Sequence, residues 1–223
     1  MRKSKSVDSI NKFSFKEGLM LFIVLCSFII ALIFYSKMPE MMVSHWGAQG
    51  EPNGYSSSFW GTFLLPIMLL FMFFILFFVP RMDPLKENIL KFKGIYLNFC
   101  ILVLLFMVYV QALIIRWNLG HIFNIGVWLV PAFSILFFYM GVLILKAKQN
   151  MSIGIRTPWT LKDVNVWNQT HKRASSLIMI ASVFSLCGLI FQKYAVWFIL
   201  IPILAVMIYA IIYSYVLYAK LHK

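Results

Sequence analysis

The sequence predicts an all-α integral membrane protein, in which six transmembrane helices form a bundle of three hairpins with both termini in the cytoplasm. Three observations lead to this fold class. First, 62% of the 223 residues are hydrophobic and 12% are charged, whereas soluble domains average about 45–50% and about 25%. Second, the chain contains six long apolar runs without Asp, Glu, Lys or Arg. Third, the basic residues are concentrated in alternate connections. This composition excludes an ordinary soluble enzyme, a disordered chain and a secreted disulfide scaffold.

Each apolar run has about the length of a transmembrane helix, which needs about 20 residues to cross about 30 Å of hydrocarbon. Continuous apolarity without a period of two favours helices over barrel strands. Isolated polar residues in the runs, such as Gln111 and Ser134, are expected to form hydrogen bonds between helices. The predicted spans are 18–35, 60–79, 95–115, 126–145, 175–191 and 195–216.

The connections differ sharply in their basic residues. Of the 20 Lys and Arg residues, only Lys37, Arg116 and Lys193 fall on one predicted side. The positive-inside rule therefore places both termini in the cytoplasm. We expect a single membrane domain over 1–223, with a basic cytoplasmic tail at 1–17, an outer loop at 37–59 and cytoplasmic loops at 80–94 and 146–174. This topology, and attraction to anionic lipid, explain the net charge of +13, so no direct binding of nucleic acid is expected.

The first apolar run follows a basic segment, as the apolar part of a signal peptide would. It lacks a clear small-residue cleavage site and five further spans follow it, so we interpret it as an uncleaved anchor. The three cysteines, Cys26, Cys100 and Cys187, all lie in apolar runs at spacings that fit no ligand motif. They are expected to be buried free thiols.

The outer loop contains His45-Trp46 and several turn-forming residues. Asn53-Gly54 is a strong signal for a tight turn. One interpretation is that Trp46 and Tyr55 lie in an interfacial aromatic belt while His45 caps a turn. The other is an ordered extracellular platform that contacts a ligand.

The inner loop at 146–174 contains a signal for the start of a helix. Thr160 followed by Asp163 predicts an N-cap with an acid three residues later, and a helix that runs from Leu161 toward the fifth span. On that helix Val164, Trp167 and His171 would share one face.

Two interpretations of this inner loop remain open. The loop could hold an interfacial helix, with Trp159 and Trp167 as membrane anchors and Arg156 paired with lipid phosphate. Alternatively, it could be a docking site for a cytoplasmic partner or an anionic ligand. Gly154, just before Arg156 in the chain, permits close approach of the backbone.

Signals for catalysis, metal binding and coupled transport are weak. The six spans as drawn contain no Asp, Glu, Lys, Arg or His, although proton-coupled transporters and ion pumps usually need one. Neither the nucleotide-binding fingerprints nor the hydrolase motifs occur. His45, Glu40 and Glu51 are the only candidate metal ligands in the outer loop, and their spacing fits no standard site. We therefore expect no metal or cofactor. An enzyme that uses His45 or His171 stays an alternative.

Two stretches resemble a known family. Ile153-Gly-Ile-Arg-Thr-Pro-Trp-Thr-Leu161, with Asn150 before it and Trp167 and His171 after it, resembles the signature of the SdpI family. These are bacterial membrane proteins named for immunity to the sporulation-delay killing peptide. The outer stretch Pro39…His45-Trp46…Gly50-Glu-Pro-Asn-Gly-Tyr55 resembles a small uncharacterised domain that often lies N-terminal in the same proteins.

The resemblance implies a non-enzymatic protein of the bacterial plasma membrane. It implies immunity to a secreted antimicrobial peptide toxin, membrane receptor signalling to a cytoplasmic transcriptional repressor, or both. The alternative from the residues alone is a transporter of small molecules or lipids, or an accessory membrane subunit. By the resemblance, the inner signature positions are Asn150, Gly154, Arg156, Thr157, Pro158, Trp159, Thr160, Trp167 and His171. The outer ones are His45, Trp46, Gly50, Pro52 and Gly54.

Overall fold

The computed structural model describes residues 13–222, so most of the expected basic tail at 1–17 lies outside the described residues. Within this part of the chain, six helices are long and apolar enough to cross a membrane, which confirms the predicted number and type of spans. The elements are α1 (Phe15–Tyr35), β1 (Met41–Trp46), β2 (Pro52–Ser57), α2 (Ser58–Met82), α3 (Lys86–Leu90), α4 (Lys93–Asn118), α5 (Ile125–Lys146), α6 (Pro158–Lys162), α7 (Val164–Ser185), two 3-10 turns (Leu186–Leu189 and Gln192–Tyr194) and α8 (Ala195–Leu221).

Polar caps carry α1 and α7 beyond the apolar runs. Ser14 and Glu17 form a reciprocal capping box that starts α1 before the predicted span, and each satisfies a backbone N–H that the first turn leaves free. As a result Glu17 lies inside α1 and His171 inside α7. Arg81 lies inside α2, which continues past the predicted span to Met82. The expectation of spans without ionisable groups is therefore wrong for the helices themselves.

The six long helices form two units of three. Helices α1, α2 and α4 pack against one another, α5, α7 and α8 do the same, and the contact of α4 with α5 joins the units. Small residues allow α5 and α7 to approach closely. A Cβ on Gly141 would lie 2.6 Å from Met179 Cγ and 3.0 Å from the carbonyl oxygen of Ser175.

Buried polar side chains link the helices, as expected from the sequence. Ser27 Oγ donates to Gln111 Oε1 at 2.6 Å, and Gln111 Nε2 donates to the carbonyl of Ser27 at 3.0 Å. In the second unit Ser134 Oγ donates to the carbonyl of Ser182 at 2.6 Å. Such bonds satisfy polar groups that lipid cannot. The three cysteines are free thiols, as predicted, but only Cys100 is buried, whereas Cys26 and Cys187 are half-buried.

At one end of the bundle, which we call the hairpin end, β1 and β2 form an antiparallel pair. The chain turns at 47–51, where the N–H of Gly47 bonds to the carbonyl of Glu51 at 2.8 Å. Gly50 takes a φ of 91°, in the region that favours glycine. The turn expected at Asn53-Gly54 is therefore wrong, because both residues lie within β2. The opposite end, with α3 and the connection from α5 to α7, is called the motif end.

Candidate functional site

The connection from α5 to α7, residues 147–163, is called the motif loop, and the side chain of Asn150 organises it. Asn150 is fully buried. Its Oδ1 accepts from the N–H groups of Ser152 at 2.8 Å and Ile153 at 2.6 Å. Its Nδ2 donates to the carbonyls of Lys148 at 2.7 Å and Ile153 at 2.9 Å. One amide side chain thereby satisfies four backbone groups of a buried loop, which would otherwise be costly.

The motif loop rests on a stacked pair of rings from α7. Trp167 and His171 are both buried, and their rings stack with centroids 3.9 Å apart. Gly154 passes over them with a φ of 122°. A Cβ there would lie 2.5 Å from His171 Nε2 and 3.2 Å from the Trp167 ring. Only glycine provides both this backbone conformation and this close approach.

Hydrogen bonds fix the tautomer of His171. Its Nδ1 lies 2.8 Å from the carbonyl oxygen of Trp167, which can only accept, so Nδ1 carries the proton. Its Nε2 accepts from the N–H of Ile155 at 3.1 Å, so this nitrogen carries none. The ring is therefore a neutral clamp between α7 and the motif loop, with neither nitrogen available to a substrate.

A reciprocal threonine cap starts the short helix α6. Thr157 Oγ1 accepts from the N–H of Thr160 at 3.2 Å, and Thr160 Oγ1 accepts from the N–H of Thr157 at 2.9 Å. Pro158 occupies the first helical position, which suits its fixed φ and missing N–H. Asp163 instead caps α7, accepting from the N–H groups of Asn165 at 2.6 Å and Val166 at 3.1 Å. The expected N-cap at Thr160, with a helix from Leu161, is therefore wrong.

The tryptophans of the inner stretch have different environments. Trp167 is fully buried and its Nε1 donates to the carbonyl of Ala147 at 3.0 Å, so its interpretation as a membrane anchor is wrong. Trp159 packs on Tyr215 of α8, with ring centroids 5.0 Å apart. Val164 is 52% exposed, and so does not share the buried face of Trp167 and His171.

Asp83 connects the two loops that were predicted to be cytoplasmic. It is buried, and its carboxylate accepts from the N–H of Met151 at 2.9 Å and from Ser152 Oγ at 2.5 Å. Nearby, Asn88 Nδ2 donates to the carbonyl of Gln149 at 2.8 Å. Sequence reasoning missed Asp83, although the chain contains only seven acidic residues, and this scarcity was a usable signal.

A second charged group at the motif end was missed because the first span was drawn from residue 18. Glu17 is fully buried, and its carboxylate lies 2.7 Å from Arg81 Nη2 and 4.0 Å from Lys93 Nζ. The Arg81 guanidinium also lies over the ring of Phe77, 3.6 Å from its centroid. Pairing of this kind compensates for the removal of the charges from water.

Arg156 differs from Arg81 in having no anionic partner among the described residues. Its side chain is exposed, and Nη1 donates to the carbonyl of Met151 at 2.6 Å. This bond holds the guanidinium against the motif loop. Its planar fork stays available to an anion such as phosphate.

At the hairpin end, His45 and Asn53 face each other across the two strands. His45 Nδ1 donates to Asn53 Oδ1, so His45 does not cap a turn as one interpretation supposed. Gly54 pairs with His45 in the register, and a Cβ on Gly54 would lie 2.8 Å from His45 Cβ. Pro52 pairs with Trp46.

The hairpin is attached to the end of α4. Asn118 Oδ1 accepts from the N–H of Val43 at 2.8 Å, and Asn118 Nδ2 donates to the carbonyl of Val43 at 3.0 Å. The ring of Trp46 meets that of Trp117 edge to face, with centroids 5.7 Å apart. These contacts make the outer loop an ordered structure rather than a loose connection.

The structure brings the inner positions together and the outer positions together, at opposite ends of the helices. All nine inner positions lie in the motif loop or on α7, and all five outer positions lie in the hairpin or its turn. Over residues 13–222 there is no group of three His, Cys, Asp or Glu that would hold a metal ion.

Both stretches fall within segments shared with known proteins. Residues 146–214 match the SdpI/YfhL protein family, and residues 22–70 match a domain of unknown function, DUF1648. The chain is therefore similar to the SdpI family in its C-terminal part. It is also similar to the immunity protein SdpI of Bacillus subtilis (strain 168), with 25% identity over 209 residues, which cover 93% of this chain and 98% of that protein. No solved structure matches the chain.

The two matched segments correspond to separate parts of the structure. The DUF1648 segment contains most of α1, the hairpin and the first half of α2. The SdpI/YfhL segment contains the motif loop, α7 and most of α8. The resemblance inferred from the sequence is thus confirmed, and each matched segment includes one of the two ordered ends.

Proposed function

We propose that this chain is an immunity protein of the bacterial plasma membrane, which protects its own cell from a secreted antimicrobial peptide. The observation that carries the proposal is the similarity to an immunity protein along 93% of the chain. Six helices of suitable length and composition, together with the match to the SdpI/YfhL family, support a multi-pass membrane protein of this kind.

In this proposal the hairpin end faces the outside and the motif end faces the cytoplasm. The charge distribution supports this orientation, because the hairpin end carries only Lys37, Arg116 and Lys193 among the basic residues described. The other described Lys and Arg residues lie toward the motif end. Lys and Arg are strongly favoured in cytoplasmic connections, so both ends of the chain are assigned to the cytoplasm.

The hairpin is the proposed contact for the peptide, through the edge of β2. Asn118 occupies the N–H and C=O of Val43 on the outer edge of β1. In an antiparallel pair, residues that face each other direct their backbone groups the same way relative to the pair, both inward or both outward. Tyr55, the partner of Val43, therefore directs its N–H and C=O away from β1. An extended peptide can bind such an open edge as an additional strand.

The motif end is the proposed contact for a cytoplasmic repressor. The bonds of Asp83 and Asn88 make one continuous surface from the loops at 80–94 and 146–174. A change in this surface on toxin binding would require two arrangements of the bundle that bind the toxin with different affinities. Such a change would alter the packing of the two three-helix units against each other, at the contact of α4 with α5.

The rival interpretations receive less support from the site. An enzyme that uses His171 needs a free ring nitrogen, and both are occupied by backbone groups. Coupled transport needs an ionisable group in the membrane. The buried candidate, Glu17, is paired with Arg81 near the start of α1. A cavity between the two units favours lipid handling as a second candidate function.

Deletion and complementation test the immunity proposal. We expect cells that lack the gene to lose survival when challenged with the peptides secreted by their own strain, and the wild-type gene to restore it. Tyr55→Pro removes the outward N–H of β2, whereas the matched control Tyr55→Val removes the ring and keeps the N–H. We expect Tyr55→Val to restore survival and Tyr55→Pro to fail. Full survival of the deletion strain would remove the immunity proposal. Full activity of Tyr55→Pro would remove only the strand-addition contact.

A further inference from the structure

A cavity of 740 Å³ lies between the two three-helix units at the motif end. Its walls come from α2 and α4 on one side and from α5, α7 and α8 on the other. Most of the lining is apolar, with Phe99, Met140 and Val206 as examples. A volume of several hundred Å³ with apolar walls is typical of pockets that bind small molecules.

The motif loop closes one side of this cavity with its polar groups. Residues 152–157 all line it, and Arg156 is the one charged residue that the described part of the chain contributes to the lining. The Arg156 side chain is exposed and lacks an anionic partner among residues 13–222. Among the described residues, the cavity therefore combines a mostly apolar lining with one cationic side chain.

We propose that this cavity binds one anionic phospholipid, with an acyl chain between the two units and the headgroup phosphate on Arg156. The occupant must bury hydrocarbon and present an anion at the same time. Phospholipids of the surrounding membrane combine hydrocarbon chains with an anionic headgroup. Basic pockets between transmembrane helices bind such headgroups. The fork of a guanidinium matches the oxygens of a phosphate.

The position of the site links the lipid to the motif loop. Ile155 lines the cavity, and its N–H bonds to Nε2 of His171. Thr157 also lines it, and its hydroxyl contacts Ser214 Oγ of α8 at 3.0 Å. The lipid thus lies against residues that hold the loop to α7 and to α8, and we expect it to stabilise the relative position of the two units.

Lipid titration of the purified full chain tests the inference, with phosphatidylglycerol and phosphatidylcholine of identical acyl chains as probes. Native mass spectrometry is expected to show one retained phosphatidylglycerol per chain. Arg156→Gln should weaken phosphatidylglycerol binding about fivefold and weaken phosphatidylcholine binding less, because the choline cation offsets the charge of its phosphate. The matched control Arg116→Gln, which changes a cation at the hairpin end, should alter neither. Val206→Phe should weaken both lipids because the ring fills the cavity.

Three results would overturn the inference. The first is equal binding of both lipids by the wild type, and the second is unchanged phosphatidylglycerol binding in Arg156→Gln. The third is displacement of phosphatidylglycerol by oleate at equal concentration, which would assign the cavity to a fatty acid. If Val206→Phe does not fold, Ala210→Leu, one turn further along α8, replaces it as the variant that fills the cavity and should weaken the binding of both lipids. No toxin takes part in these measurements, so a negative result leaves the immunity proposal intact.

Discussion

Substitution of Gly154 by alanine tests the organisation of the motif loop most sharply. The new Cβ would lie 2.5 Å from His171 Nε2, so the loop or the ring must move. Movement breaks the bond from the Ile155 N–H to Nε2, and a buried donor left without a partner costs about 1–3 kcal/mol. A non-glycine residue at a φ of 122° adds backbone strain of about 1–3 kcal/mol.

The two contributions together lower the free energy of local opening by about 2–6 kcal/mol. Since about 1.4 kcal/mol corresponds to a factor of ten, amide exchange in residues 150–157 should accelerate at least about 30-fold. Hydrogen exchange with mass spectrometry on the purified chain measures this directly. The expected change should be centred on the loop and leave the hairpin unaffected.

Gly120→Ala is the matched control, because Gly120 also has a positive φ, 96°, but a Cβ there would meet nothing within 4 Å. It carries the backbone strain without the collision, and its effect should stay near residues 117–123. Exchange of residues 150–157 at the wild-type rate in Gly154→Ala would refute the proposed clamp between the loop and His171.

Three further substitutions probe the two ordered ends. Asp83→Asn removes the carboxylate charge that accepts hydrogen bonds from the motif loop, and we expect faster proteolysis of the 80–94 connection. The control Glu87→Gln, on the exposed side of α3, should behave as wild type. His171→Phe keeps a ring against Trp167 but removes the acceptor for Ile155, and should cost about 1–3 kcal/mol of local stability, measured as faster exchange of the Ile155 amide. Asn118→Leu leaves Val43 without its two side-chain bonds, and should increase exchange in β1 while the melting of the six helices, followed by circular dichroism, changes little.

The six spans were predictable because lipid imposes a strict rule. A chain in hydrocarbon must satisfy its own backbone bonds and present apolar side chains, and each apolar run indicates a helix directly. The helix ends were less predictable. Capping by Ser14 and Asp163 starts α1 and α7 before the apolar runs begin. Glu17 and His171 therefore lie inside helices whose first residues a search by hydropathy places too late in the chain.

The start of α6 shows how two valid signals compete. Both Thr157 and Thr160 are suitable N-cap residues. Asp163 favoured Thr160, because an acid three residues after a threonine is typical of a capping box. Pro158 decides for Thr157, because proline is favoured at the first helical position. The sequence contained this signal, and Asp163 has its own role as the cap of α7.

The inner positions could be grouped by resemblance, but their contacts could not be derived from spacing. Asn150 and His171 lie 21 positions apart, and only the tertiary fold brings both into contact with the same loop. The hairpin was missed for a different reason. The segment Met41–Trp46 lacks clear alternation of apolar and polar residues. This strand packs against helix ends as well as its partner strand, so it does not have one buried face and one face in water.

Cysteine accessibility tests the central claim, an immunity protein that meets a secreted peptide at the hairpin and presents the motif end to the cytoplasm. In a background with Cys26, Cys100 and Cys187 replaced by alanine, one cysteine is placed at Tyr55 and, in a second variant, at Lys162. A membrane-impermeant maleimide is applied to intact cells. The account predicts that the Tyr55→Cys variant is labelled at once and the Lys162→Cys variant only after the membrane is opened. Labelling of Lys162→Cys in intact cells, with Tyr55→Cys protected, would contradict it.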